Sequence, residues 1–183
     1  MSTAPPRQTD RHLVLIGLPG AGKSSLGRAV ARRLDRPFLD FDVEIERRSG
    51  CSIAQIFAQQ GEAAFRQMEV DLTRELVAAP PMVLAPGGGW VTNSGVPAIL
   101  GPRSSIIHLR VSPREALRRV SRSKAVRPLL RTADPLATME ALWISRAELY
   151  AQADVEITTE VHDTQRVIDT IVALAIDLTP ELG

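Results

Sequence analysis

The sequence has 183 residues, 44% of them hydrophobic, enough for one ordinary domain with its own core and too few for two. With 22 Lys and Arg against 21 Asp and Glu, no global field calls for nucleic acid or an acidic membrane, so anion recognition must be local. The single cysteine excludes a disulfide framework, and no zinc-like spacing, signal-like start or run of eighteen apolar residues occurs, which together predict a cytoplasmic protein.

Residues 12–16 are a short apolar run ending at a glycine, as expected of a strand buried on both faces. Leu26, Val30 and Leu34 then form one apolar stripe, predicting a helix over 23–34. Residues 38–41 read as a second strand. Ser52-x-x-Gln55 is a capping-box pattern opening a helix, and Phe65, Met68, Leu72 and Leu76 mark a longer one running from Glu62 to Pro80. Residues 82–85 give a third strand entering Gly87-Gly88-Gly89, and residues 105–109 a fourth. Ser112-Pro113 has the chemistry of a helix start, and that helix runs to about Val120. Residues 121–128 are polar and basic without apolar period and read as a mobile, lid-like excursion. A helix over 134–150, a strand over 154–158 and a helix over 163–176 complete the chain. Strands alternating with helices predict an α/β fold, a parallel sheet of about five strands covered on both sides.

Gly17 to Ser24 fits G-x-x-x-x-G-K-[ST] between a predicted strand and a predicted helix, the setting of a phosphate-binding P-loop over 17–25. Backbone amides of Gly20, Ala21, Gly22, Lys23, Ser24 and Ser25 would cradle the phosphates of ATP at the positive end of a helix. Lys23 would reach the β- and γ-phosphates, and the Ser24 hydroxyl would coordinate Mg²⁺. Asp40 and Asp42, read as i and i+2 at the end of the second strand, would point the same way. Asp42 would hold a substrate hydroxyl and Asp40 would lean toward the metal's water shell, unless one of them caps the next helix. Arg66 has Glu62 four residues before and Glu69 three after, so ion pairing on the helix face competes with a binding role. Three consecutive glycines at 87–89 are costly unless a backbone must approach a ligand. Arg127 and Arg146 are candidates to close on the transferred phosphate and to face the same cleft.

Taken in order, Gly17 to Ser24, Asp40-x-Asp42, Gly61-Glu62-x-x-Phe65-Arg66-x-x-Glu69, Gly87-Gly88-Gly89, Arg127-Pro-Leu-Leu130 and Arg146-x-x-x-Tyr150 resemble the shikimate kinase family over about residues 12–176. The resemblance implies a single kinase domain over 1–183, with a nucleoside-monophosphate-kinase-like three-layer P-loop core. A substrate-binding segment near 42–70 and a lid near 121–131 would complete it. It implies transfer of the γ-phosphate of ATP to the 3-hydroxyl of shikimate, on the way to chorismate and the aromatic amino acids, by a monomer with no nucleic acid or membrane partner. Asp42 would act as base, and Arg66 and Arg146 would clamp the substrate carboxylate. Gly88 and Gly89 would offer backbone donors, Arg127 would stabilise the phosphoryl group, and Arg119 or its neighbour Arg118 would stack on adenine. Pro86 and Trp90 depart from the family pattern on either side of the glycines. A gluconate-type kinase needs no paired carboxylate clamp, and a ligand-sensing domain on the same scaffold could dispense with Lys23, Ser24 or Asp42, so the residues present favour the shikimate reading.

Overall fold

The computed structural model describes residues 9–122, 130 and 132–176. Strand β1 (His12–Ile16) is buried along its whole length, which requires cover on both faces. It lies between β3 (Val83–Ala85) and β4 (Ser104–Arg110), with β2 (Phe38–Asp40) and β5 (Val155–Thr158) outside them, in the order β2-β3-β1-β4-β5. All four pairings are parallel, so the chain crosses back through helical connections after each strand. Helix α1 (Lys23–Leu34) packs against α7 (Thr164–Leu174), and α5 (Pro113–Ser121) against α6 (Pro135–Tyr150). The five strands expected from apolar runs are all present, with no end moved by more than one residue.

The largest departure follows β2. Helix α2 (Phe41–Ser49) begins at once, so Asp42 stands in its first turn and not on the strand with Asp40. Phe41, Val43 and Ile45 alternate as strand residues do, but Phe41 and Ile45 are buried while Val43 is 58% exposed, the i, i+4 pattern of a helix. Glu44 binds Arg47 at 2.8 Å and Arg48 at 2.7 Å, and Arg48 reaches Glu75 at 2.7 Å, which ties α2 to the following helix.

That helix, α3 (Ile53–Leu76), opens on the expected capping box, with Gln55 Oε1 accepting from Ser52 N–H at 2.8 Å. Gly61, at φ 82° and ψ 171°, breaks it into two parts at the boundary between the two predicted helices. The short helix α4 (Val96–Leu100) and the single 3₁₀ turns Trp90–Thr92 and Gly101–Arg103 are too brief to carry a sequence period and were not foreseen.

Candidate active site

The loop after β1 holds Gly20 at φ 87° and Gly22 at φ 96°, conformations that a side chain would strain. They turn the chain so that α1 starts with no side-chain cap and no acidic residue in its first turn. Its N-terminal amides and positive dipole end are thereby left for an anion. Lys23 Nζ rests on the loop, donating to Gly17 O at 2.9 Å and Leu18 O at 3.2 Å. Ser25 turns its hydroxyl back on Gly22 O at 3.0 Å. Ser24 Oγ donates to Asp40 Oδ2 at 2.5 Å. Asp40 occupies the N-cap position of α2 but makes no side-chain cap bond, so its carboxylate serves the P-loop serine and not the helix. The β2 to α2 junction thus places Asp40 against α1. Asp42, two residues further in the first turn of α2, sits where the helix dipole favours a negative charge.

The glycine run after β3 is where the rest converges. A Cβ on Gly87 would lie 2.9 Å from Asp42 Oδ1 and 3.0 Å from Glu69 Oε1; one on Gly88 would lie 3.1 Å from Arg146 Nη1; one on Gly89 would lie 2.6 Å from Arg66 Cζ. Three glycines therefore let side chains from α2, α3 and α6 close on one backbone. Trp90 is fully buried, donates from Nε1 to Thr73 Oγ1 at 3.0 Å and meets Phe41 edge-on at 6.4 Å between centroids. Trp90, one of the two departures from the family pattern, thus anchors the glycine loop to both α2 and α3. Asn93 adds a bond from Nδ2 to Arg66 O at 3.1 Å.

Arg66 does pair along its helix, with Glu62 at 2.8 Å and Glu69 at 2.7 Å, and it stands at Gly89 as well, so the ion-pair and cleft positions are the same position. Arg146 is only 6% exposed and forms no ion pair among the described residues. Burial raises the Tyr150 hydroxyl above its ordinary range, while the nearby Arg146 guanidinium opposes the shift. The Tyr150 ring stacks on His108 of β4 at 4.5 Å, which fixes the base of α6.

Glu69 was named in the sequence as a partner of Arg66 and as part of the motif around it, but was given no role of its own. It is fully buried and its Oε1 has no hydrogen-bond partner. Burial lifts its pKa to about 7, Arg66 holding it down and the Asp42 charge pushing it further up. Its spacing of three from Arg66 and its place in the motif around Arg66 were the signals available in the sequence.

On α5 the two adjacent arginines separate. Arg119 donates to Thr159 Oγ1 at 3.0 Å, to Thr159 O at 2.9 Å and to Glu115 at 2.8 Å. Arg118 is an exposed partner of Glu115. Gly20 packs closely on the carbonyl of Ala116, so α5 lies directly against the P-loop. Arg127, and residues 123–129 and 131 of the expected lid, lie outside the described residues. Among the described residues no group of three or more His, Cys, Asp or Glu is arranged to hold a metal ion, and no helix is long and apolar enough to cross a membrane.

Comparison with known proteins meets this geometry. The family profile described as shikimate kinase matches residues 19–175. A shikimate kinase of Burkholderia pseudomallei (strain 1710b) is 45% identical over 141 residues, 77% of this chain and 76% of that protein. One of Nitrobacter winogradskyi is 41% identical over 164 residues, 90% of this chain and 76% of its own. Among solved structures, shikimate kinase from Acinetobacter baumannii in complex with shikimate superposes with a TM-score of 0.84 at 35% identity, covering 91% of this chain and 93% of that one. A gluconokinase from Sinorhizobium meliloti reaches a TM-score of 0.61 at 16% identity, a likeness of fold alone.

Proposed function

The chain belongs to the shikimate kinase family and is an ATP-dependent kinase acting on shikimate, and from that premise we propose how its own residues divide the work. The observation that carries the assignment of the substrate side is Arg146, a buried guanidinium with no ion pair among the described residues, close to Gly88 and beside the glycine run that Arg66 also meets. An uncompensated buried charge is costly. A bound carboxylate removes that cost, because guanidinium forks match carboxylate oxygens bidentately. Shikimate offers such a carboxylate, and Arg66 and Arg146 clamp it while Gly88 and Gly89 approach the ring through their backbone. Residues of α2 and of α3 up to about 70 form the substrate-binding segment.

With the carboxylate so held, Asp42 faces the acceptor 3-hydroxyl. It orients the hydroxyl and accepts its proton as the oxygen attacks the γ-phosphorus, and the bond to the ADP oxygen breaks with its electron pair going to ADP. Lys23 leaves the carbonyls of Gly17 and Leu18 for the β- and γ-phosphates, which lie on the amides of residues 20–25. Arg119, held by Glu115 and Thr159, flanks adenine. Mg²⁺ would be held by Ser24 Oγ with Asp40 reaching it through water. These oxygen donors, 2.5 Å apart, suit an ion that keeps most of its waters. When bound it offsets the charge of the phosphates. We place the reaction in the cytoplasm and in a monomer: Val43, Ile144 and Val161, the large apolar side chains exposed among the described residues, stand on three separate segments.

The test is a coupled ADP-release assay with shikimate, its neutral carboxamide and gluconate. Shikimate should turn over and the carboxamide should lose at least about 30-fold in kcat/KM, the low end of the cost of breaking a buried charge pair. A carboxamide as good as the acid would refute the clamp.

A further inference from the structure

Glu69 is used neither for ATP nor for the substrate clamp. Its carboxyl is fully buried on α3, Oε2 accepts from Arg66 Nη1 at 2.7 Å, and Oε1 is sealed from solvent without a hydrogen-bond partner. Asp42 Oδ1 and Glu69 Oε1 stand 2.9 Å and 3.0 Å from the same point, the place a Cβ on Gly87 would occupy, so both carboxyls meet at that glycine. A buried acceptor without a donor is costly, and two carboxylates in one dry site resist ionising together. A single proton on Oε1 relieves both: the orphan acceptor becomes a donor toward Asp42, and Oε2 keeps its bond from Arg66.

We propose that Glu69 works as a neutral acid, a positioning residue whose proton keeps Asp42 ionised beside the acceptor hydroxyl and leaves the charge of Arg66 to the substrate carboxylate. The charged groups facing Glu69 are Arg66 on its own helix, Asp42 from α2 and Arg146 from α6. Burial and Asp42 favour the neutral form and the arginines oppose it, a balance that puts its pKa at about 7. When an anionic substrate occupies the two arginines their opposition weakens and the proton is held more tightly. Shikimate binding therefore takes up a proton near neutral pH, and affinity falls as pH rises above about 7. This linkage rests on the clamp described above, whereas the proton on Glu69 in the free enzyme does not.

The direct test is a carbon NMR titration of the substrate-free protein carrying labelled glutamate carboxyls, with Glu69 identified by its absence from Glu69→Gln. A midpoint near 7 is expected, and one in the ordinary range near 4.5 overturns the proposal. The same variant, a neutral isostere that still accepts from Arg66, should keep kcat/KM for shikimate within about tenfold of the parent at about pH 6 and should lose the parent's decline at alkaline pH. A larger loss at that pH in a folded, ATP-binding variant shows that the ionised carboxylate is required. Should the variant not fold, calorimetry of shikimate binding to the parent in two buffers of different ionisation heat decides: proton uptake near pH 7 is expected, and its absence is refuting. If the carboxamide binds as well as the acid, the clamp fails while the NMR midpoint still decides Glu69.

Discussion

Replacing Gly89 by alanine adds one methyl group at the point where the glycine run is tightest against Arg66. The new carbon would stand 2.6 Å from Arg66 Cζ, with both terminal nitrogens nearer still. Relaxed carbon contacts lie at about 3.5–4.0 Å, so the guanidinium must retreat by about 1 Å. The backbone does not resist, since Gly89 has φ −92° and ψ −4°, open to any L residue. Stability is also little affected, because the group that gives way is the end of a flexible side chain. What changes is the aim of Arg66 and its bonds to Glu62 at 2.8 Å and Glu69 at 2.7 Å. A misplacement of about 1 Å can cost about 10²-fold, and Arg146 keeps its half of the clamp, so shikimate KM should rise about 10- to 100-fold. The KM for ATP should not move, and Gly88→Ala, at 3.1 Å from Arg146 Nη1, should be milder. Steady-state kinetics with each substrate varied, beside a melting curve, is the assay. Unchanged shikimate KM, or an equal rise for ATP, would refute the placing of Arg66 over Gly89.

Three further outcomes follow from the same geometry. Asp42→Asn should lower kcat by about 10²–10⁴-fold while calorimetric shikimate binding weakens far less, whereas Asp40→Asn should show mainly as altered Mg²⁺ dependence; the opposite pattern exchanges the two roles. Arg146→Met should abolish measurable shikimate binding yet leave the free protein at least as stable in urea, because it removes a buried cation with no ion pair among the described residues; marked destabilisation would count against a site poised for an anion. Glu69, with its folded pKa raised from 4.5 to about 7, contributes stability that is fully present below about pH 4.5 and lost as pH rises through about 7. At about 1.4 kcal/mol per pH unit this amounts to about 3 kcal/mol. Urea unfolding across that window should show this slope in the parent and lack it in Glu69→Gln.

Much of the nucleotide side could be read from the chain directly. Gly20 and Gly22 shape the loop and Lys23 and Ser24 open the helix that follows it, all within one short stretch of chain, so their spacing already marks a phosphate-binding loop. The strands were equally plain, since a fully buried parallel strand is a continuous apolar run. Asp42 was less legible: its role was inferred from a strand position that it does not hold. Phe41, Val43 and Ile45 alternate along the chain, and the packing of Phe41 on Trp90 accompanies the helix that places it.

The remaining uncertainty in the sequence was about burial. Arg66, Glu69 and Arg146 each look like ordinary surface charges of amphipathic helices, and the spacing of three between Arg66 and Glu69 describes an exposed ion pair as well as a buried one. What distinguishes them is the glycine loop, brought between α3 and α6 by the return of the chain through β3 and anchored there by Trp90 on Thr73 and Phe41. The sequence alone determined the P-loop and the order of strands and helices, because those depend on local backbone chemistry and periodicity, whereas the substrate-side residues were legible chiefly through resemblance to a family. The tertiary structure decided that Glu69 is buried at the glycine that Asp42 also meets, and that Arg146 is buried with no ion pair among the described residues, because desolvation is set by residues far apart in the chain closing over one another.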